Sequence, residues 1–72
     1  MRKRSFSIAG HRTSVALEPE FWQALEALAA ERGLSLSALL AEIDAGNPGG
    51  NLASSCRLKV LSFLTENRLR TP

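Results

Sequence analysis

Arg12, Ser14 and Ala16 stand at alternate positions in the segment RTSVAL, with Thr13, Val15 and Leu17 between them. Residues two apart share a face of an extended chain, so the first three line one side and the second three the other. A guanidinium presents a fork of N–H donors, a hydroxyl both donates and accepts, and an alanine offers a methyl group. Such a face suits recognition of hydrogen-bonding edges, not covalent chemistry. The remaining candidates are sparser. Ser35 and Ser37 open a helical pattern, and the free backbone N–H groups and positive dipole end there suit a phosphate, although a plain helix cap is the blander reading. His11 could touch a phosphate when protonated. With no second histidine and one cysteine, it has no company for a metal site and reads as a surface residue. Cys56 lies within an apolar stripe and reads as buried and inert. The cluster Ala45-Gly46-Asn47-Pro48-Gly49-Gly50-Asn51 lacks a Gly-Lys-Ser/Thr ending and a preceding buried strand, so it is a loop and not a phosphate cradle. No nucleophile is paired with a base and no carboxylate pair stands in an evident cleft. The expectation is a non-enzyme with no metal and no cofactor.

The elements that must position these groups follow from pattern. Residues 12–17 are a short strand stopped by Pro19, which suits the first position of a helix. The first helix runs from about 19 to 32, with Phe21, Leu25, Leu28 and Arg32 on one stripe and Trp22 and Ala29 widening it. Trp22, beside Phe21, reads as a core or dimer-interface residue. Gly33 is placed to end this helix in the left-handed conformation. Ser35 caps a second helix, in which Leu36, Leu39, Leu40 and Ile43 have the spacing of a buried stripe. Val15, Leu17, Phe21, Trp22, Leu25, Leu28, Leu36, Leu39, Leu40 and Ile43 are thus the expected core and dimer contacts. Asn51 caps a third helix over 52–66. There Leu52, Cys56, Val60 and Phe63 or Leu64 run down one face, and Leu58 and Leu61 widen it enough to require a cover. The organisation is a basic arm at 1–11, a core at 12–45, a loop at 46–51, the third helix at 52–66, and a frayed basic tail at 67–72.

A single strand has a row of unpaired N–H and C=O groups and no stability of its own. No second strand of the same pattern follows the helices. The expected partner is therefore the same strand of another copy, antiparallel about a two-fold axis, forming a two-stranded ribbon of a size that enters the major groove of DNA. The arm alternates too, through Phe6 and Ile8, but in the opposite phase, and the phase flips at Ala9-Gly10. That flip means a bulge or a turn. The arm is either a bent extension of the ribbon or a segment that orders on DNA.

At 72 residues there is room for one domain and a small core, which a dimer would staple. The net charge of +2 conceals segregation: residues 1–12 carry +4, 13–51 carry −5 and 52–72 carry +3. A basic arm joined to the ribbon puts Arg2, Lys3 and Arg4 where a phosphate backbone would lie. The single cysteine fits a reducing compartment, no apolar run approaches the roughly 20 residues of a membrane span, and the basic start lacks the apolar segment of a secretory signal. The chain reads as cytoplasmic, without a membrane.

The strand RTSVALE, the proline-led helix PEFWQALEALAAER, the turn GLS and the helix LSALLAEI together resemble the ribbon-helix-helix repressors of the Arc and MetJ type. HRTSVALEPEFW with the later NLASSCRLKVL is similar to a bacterial subgroup of small ribbon-helix-helix proteins. The resemblance implies a mainly α fold, an intertwined homodimer with an intermolecular two-stranded antiparallel sheet, here with an additional carboxyl-terminal helix. It implies base contacts at Arg12, Ser14 and Ala16 and phosphate contacts at Ser35, Leu36 and Ser37. Ala16 departs from the polar side chains usual at such positions and leaves Arg12 as the main reader, with a guanine as its natural target.

The leading expectation is a homodimeric, sequence-specific transcriptional regulator on double-stranded DNA. An antitoxin would use the same fold and give its third helix to a protein partner. A structural or adaptor dimer without DNA binding would account for Ala16 and the acidic first helix. Pairing of dimers through the third helix is a further arrangement that the pattern permits.

Overall fold

A computed structural model describes residues 1–70. In chain order the elements are β1 (Arg2–Ile8), β2 (His11–Leu17), α1 (Pro19–Arg32), α2 (Leu36–Gly46) and α3 (Leu52–Arg70). The two strands form one antiparallel sheet, and the rest is helical.

Strand β2 finds its partner inside the chain. It pairs with β1 from Ile8↔His11 at the turn to Arg2↔Leu17 at the open end. The arm, expected either to bend on from the ribbon or to order on DNA, supplies a strand of the same sheet. The physical reason lies in the phase flip. A two-residue turn joins Ile8 to His11, so every pair joins an even position to an odd one, and two segments of opposite apolar phase present one common apolar face. Ala9 and Gly10 both have positive φ, 53° and 80°, the twist that a two-residue hairpin requires.

The inner face of the hairpin carries Phe6, Ile8, Val15 and Leu17 onto the helices, with Ile8, Val15 and Leu17 buried and Phe6 half-buried. Beneath β1 runs α1. Trp22 donates from Nε1 to the Arg2 carbonyl oxygen at 2.8 Å, and its ring lies 5.8 Å from that of Phe6. The Arg4 guanidinium sits 5.2 Å from the Trp22 ring centre and donates to Glu26 at 2.9 Å. This combination of ion pair and cation–π contact fixes β1 on the helix.

Helix α1 begins with Pro19 at its first turn and ends at Gly33, which has φ 69°. The N–H groups of Gly33 and Leu34 donate to Ala30 and Ala29 carbonyls at 3.1 and 2.8 Å, closing the helix as a Schellman cap. Trp22, Leu25, Leu28 and Ala29 are buried, Phe21 is half-buried, and Arg32 is exposed and paired to Glu42 at 2.8 Å. Along α2, Leu39, Leu40 and Ile43 are buried and Leu36 is half-buried. Residues 45 and 46, expected in the loop, complete this helix. Asn51 Oδ1 accepts from the Ser54 N–H at 3.0 Å and caps α3.

Helix α3 packs on α1, α2 and β2. It continues past residue 66 to Arg70, so four residues of the expected tail are helical, while Thr71 and Pro72 lie outside the described residues. Its stripe resolves in favour of Phe63: Cys56 and Val60 are buried, Leu52 and Phe63 pack partly against them, and Leu58, Leu61 and Leu64 remain 65, 61 and 52% exposed. Arg57 ties this helix to the start of α1, donating to Glu18 at 2.9 and 3.2 Å with its guanidinium 5.6 Å from the Phe21 ring centre. The buried side chains form one cluster reaching from Ile8 to Val60, each contributing roughly 1.5–3 kcal/mol when fully enclosed as Leu17, Leu25, Leu39 and Leu40 are.

Candidate nucleic-acid interface

Cross-strand partners in an antiparallel pair point to the same side. The register therefore composes the outer face of the hairpin from three pairs: Lys3 with Ala16, Ser5 with Ser14, and Ser7 with Arg12. Lys3, Ser5, Ser7, Arg12 and Ser14 are exposed, and Ala16 is half-buried. The two central hydroxyl oxygens lie 3.1 Å apart in a hydrogen bond. No carboxylate belongs to this face. Among the described residues, neither Lys3 nor Arg12 has an ion-pair or side-chain hydrogen-bond partner to give up on meeting a ligand. Four residues separate the level of Lys3 from that of Arg12, which at the rise of a strand is about 14 Å.

Arg12, Ser14 and Ala16 thus share one surface. The expected arm contacts separate: Lys3 joins that surface, whereas Arg2 and Arg4 belong to the opposite side. Arg4 is engaged by Glu26, Phe6 and Trp22, and the Arg2 carbonyl accepts from Trp22. Pattern reading missed Lys3, Ser5 and Ser7 as members of the face. The signal that would have found them was the change of apolar phase across two residues with a glycine in the second.

The start of α2 is built as a helix terminus. Ser35 Oγ accepts from the Ala38 N–H at 3.1 Å and the Ser35 carbonyl accepts from the Leu39 N–H at 3.0 Å. The first N–H groups of the helix, those of Leu36 and Ser37, point along its axis without an intrahelical acceptor. Ser35 is exposed, while Leu36 and Ser37 are half-buried.

Elsewhere the chemistry is quiet. Among the described residues no group of histidine, cysteine and carboxylate side chains is placed to hold a metal ion, and no buried side-chain polar atom lacks a partner. Glu18 is held below the ordinary carboxylate range, first by backbone hydrogen bonding and then by Arg57. Burial pushes the Cys56 thiol up to about 11, against a smaller opposing effect of Arg57. Open hollows of about 510 and 290 Å³ lie along α3, both bordered by Glu42, Lys59 and Ser62 and neither near the ribbon. No helix among the described residues is long and apolar enough to cross a membrane.

Compared with known proteins, the chain matches neither a curated protein nor a solved structure. A family model described as a ribbon-helix-helix domain matches residues 1–64. Domains of this kind serve in general as DNA-binding regulators or antitoxins, typically as dimers and typically without enzymatic activity. Matched over most of its length, and with a two-stranded antiparallel ribbon leading into its helices, the chain belongs to the ribbon-helix-helix domain family.

Proposed function

We propose that this protein is a homodimeric, sequence-specific transcriptional regulator, a repressor of the bacterial cytoplasm, that reads the major groove of double-stranded DNA with its antiparallel ribbon. The observation that carries this reading is the outer face of the hairpin: small hydroxyl and methyl groups between two cations that have no ion-pair partner among the described residues, on a sheet whose other side is committed to the core. Small side chains let the backbone come close to base edges, and the cations meet a polyanion. Arg12 is the principal base reader, through guanine O6 and N7; Ser14 is secondary, and Ala16 supplies a methyl contact. The N–H groups at Ser35, Leu36 and Ser37 take a phosphate, and the basic strand β1 adds charge beside it. Binding falls steeply with salt, and Arg12→Ala costs on the order of 1–3 kcal/mol at one base position. Selection from random double-stranded DNA, followed by titration over a salt series, measures both; absence of any enriched motif would sink the reading.

A second reading is favoured by Leu58, Leu61 and Leu64, the exposed leucines of α3. An antitoxin would present such a helix to its toxin. A toxin gene adjoining this one supports that reading, and a genomic neighbourhood without one counts against it.

A further inference from the structure

Leu58, Leu61 and Leu64 stand exposed, whereas the other large apolar side chains described, Met1 apart, are buried or partly covered. They are not scattered. Helix α3 turns Cys56, Val60 and Phe63 to the core, and on the side turned away Ser54, Leu58, Leu61 and Thr65 follow one another at alternating spacings of four and three residues, all exposed. That spacing is the seam of two packed helices. Thr65 Oγ1 donates to the Leu61 carbonyl at 2.8 Å, so its polar atom is satisfied within the helix and can leave water. We infer that this seam is an interface between copies: α3 of one molecule packs antiparallel on α3 of another about a two-fold axis, Leu58 of each against Leu61 of the other and Ser54 of each against Thr65 of the other.

The face selects a second copy as its occupant because it is self-complementary. Read in either direction, the seam is hydroxyl, leucine, leucine, hydroxyl, as a two-fold contact requires. On one flank Ser55 and Ser62 are small enough to let the helices come close. On the other, Leu64 lies along the aliphatic stem of the other copy's Arg57, whose guanidinium is held by Glu18 at 2.9 Å. Charge fixes the direction. The next seam position is the exposed Arg68, which a parallel pair would stack on its own equivalent, whereas the antiparallel pair sets it against Asn51. Area fixes the strength. The six leucines of such a pair remove on the order of 500 Å² from water, less than half of the roughly 1,200 Å² at which stable interfaces begin. The contact is therefore weak, and it joins assemblies that other surfaces have already formed as their concentration rises. It needs no DNA and stands apart from the DNA-binding reading above.

The test is sedimentation equilibrium of the full chain without DNA, from micromolar to near-millimolar concentration, comparing the wild type with the double variant Leu58→Lys, Leu61→Lys. Both side chains are exposed, so the variant should melt as the wild type does, which circular dichroism verifies; Leu58→Ser, Leu61→Ser takes its place if the added charge lowers the melting temperature. The wild-type mass should climb toward twice that of the variant, which stays level. Register is read by oxidative cross-linking of Ser54→Cys and Thr65→Cys proteins, with the wild type, whose Cys56 is buried, as the control. Mixed, the two should cross-link to each other. Alone, Ser54→Cys should not, because its two copies lie about 16 Å apart along an antiparallel pair, beyond the roughly 7 Å reach of a disulfide. Equal masses for wild type and variant at every concentration overturn the inference and return the leucines to a partner of different sequence. Cross-linking of Ser54→Cys to itself as readily as to Thr65→Cys overturns it too, since that marks a parallel pair. Neither result touches the regulator reading, and failure to enrich a DNA motif leaves this interface standing.

Discussion

Cys56 is fully enclosed between α3 and the rest of the core, and its neighbour Arg57 is turned away toward Glu18. Burial raises the thiol to about 11 from 9.0, and the sign of the consequence is definite. Between those two pH values the unfolded chain has released the proton that the folded chain keeps, so stability falls as pH rises through this window, and is unaffected by this group below it. Thermal melting at pH 8, 9.5 and 11 should show the decline, and Cys56→Ala, less stable at pH 8 because of its cavity, should show less of it. Glu18 acts at the other end of the scale: held low by hydrogen bonding, it adds stability above the ordinary carboxylate range that is lost as acid protonates it. The orientation of Arg12, Ser14 and Ala16 was legible from alternation, because period two admits one assignment of faces. The engagement of Arg4 was not, since it depends on Trp22 and Glu26 being carried beneath β1 by a helix 15 or more residues downstream.

Among the elements, the helices were legible and the ribbon's partner was not. Pro19, Gly33, Ser35 and Asn51 each mark a helix end by a local mechanism that needs no tertiary context, and each does so in the structure. The hairpin depends on a turn whose first residue is an alanine at φ 53°. Asparagine-glycine is the strong signal for such a turn, and Ala-Gly is weak, so the phase change read equally as a bulge. Ala9→Asn should ease the left-handed strain and raise stability by about 0.5–1 kcal/mol, seen as a higher melting temperature with DNA affinity unchanged. A lower melting temperature would mean that the turn is held by something other than its own backbone preference. The extent of α3 was legible in kind but not in length. A polar carboxyl-terminal stretch such as TENRLR has no local stop signal, and helix and fray differ little in propensity there.

Across the whole molecule, the two ends of the chain close over its middle. Strand β1 completes the hairpin and α3 covers β2, α1 and α2, so both ends of the chain contribute to one continuous core. That closure was hidden from pattern reading because a stripe tells which residues seek cover, not which segment provides it. Removing residues 52–72 uncovers what Cys56, Val60 and Phe63 pack against. The loss of several kcal/mol is comparable to the 5–15 kcal/mol that typically holds a domain. The shortened chain should lose its cooperative thermal transition, with calorimetry as the check; a sharp transition surviving the deletion would show that β1, β2, α1 and α2 suffice. By contrast, Leu58, Leu61 and Leu64 contribute little to this closure and stay available on the surface.

A core whose members range from Ile8 to Val60 also sets a timetable for biosynthesis. The hairpin can zip in microseconds, yet at 5–20 residues per second the ribosome needs roughly 2–9 s to add the stretch between Leu17 and Val60. During that interval the nascent chain exposes its greasy underside to chaperones and to neighbouring polysomes. The thiol, once added, stays open to oxidants and alkylating agents until the last helix docks and shuts it away.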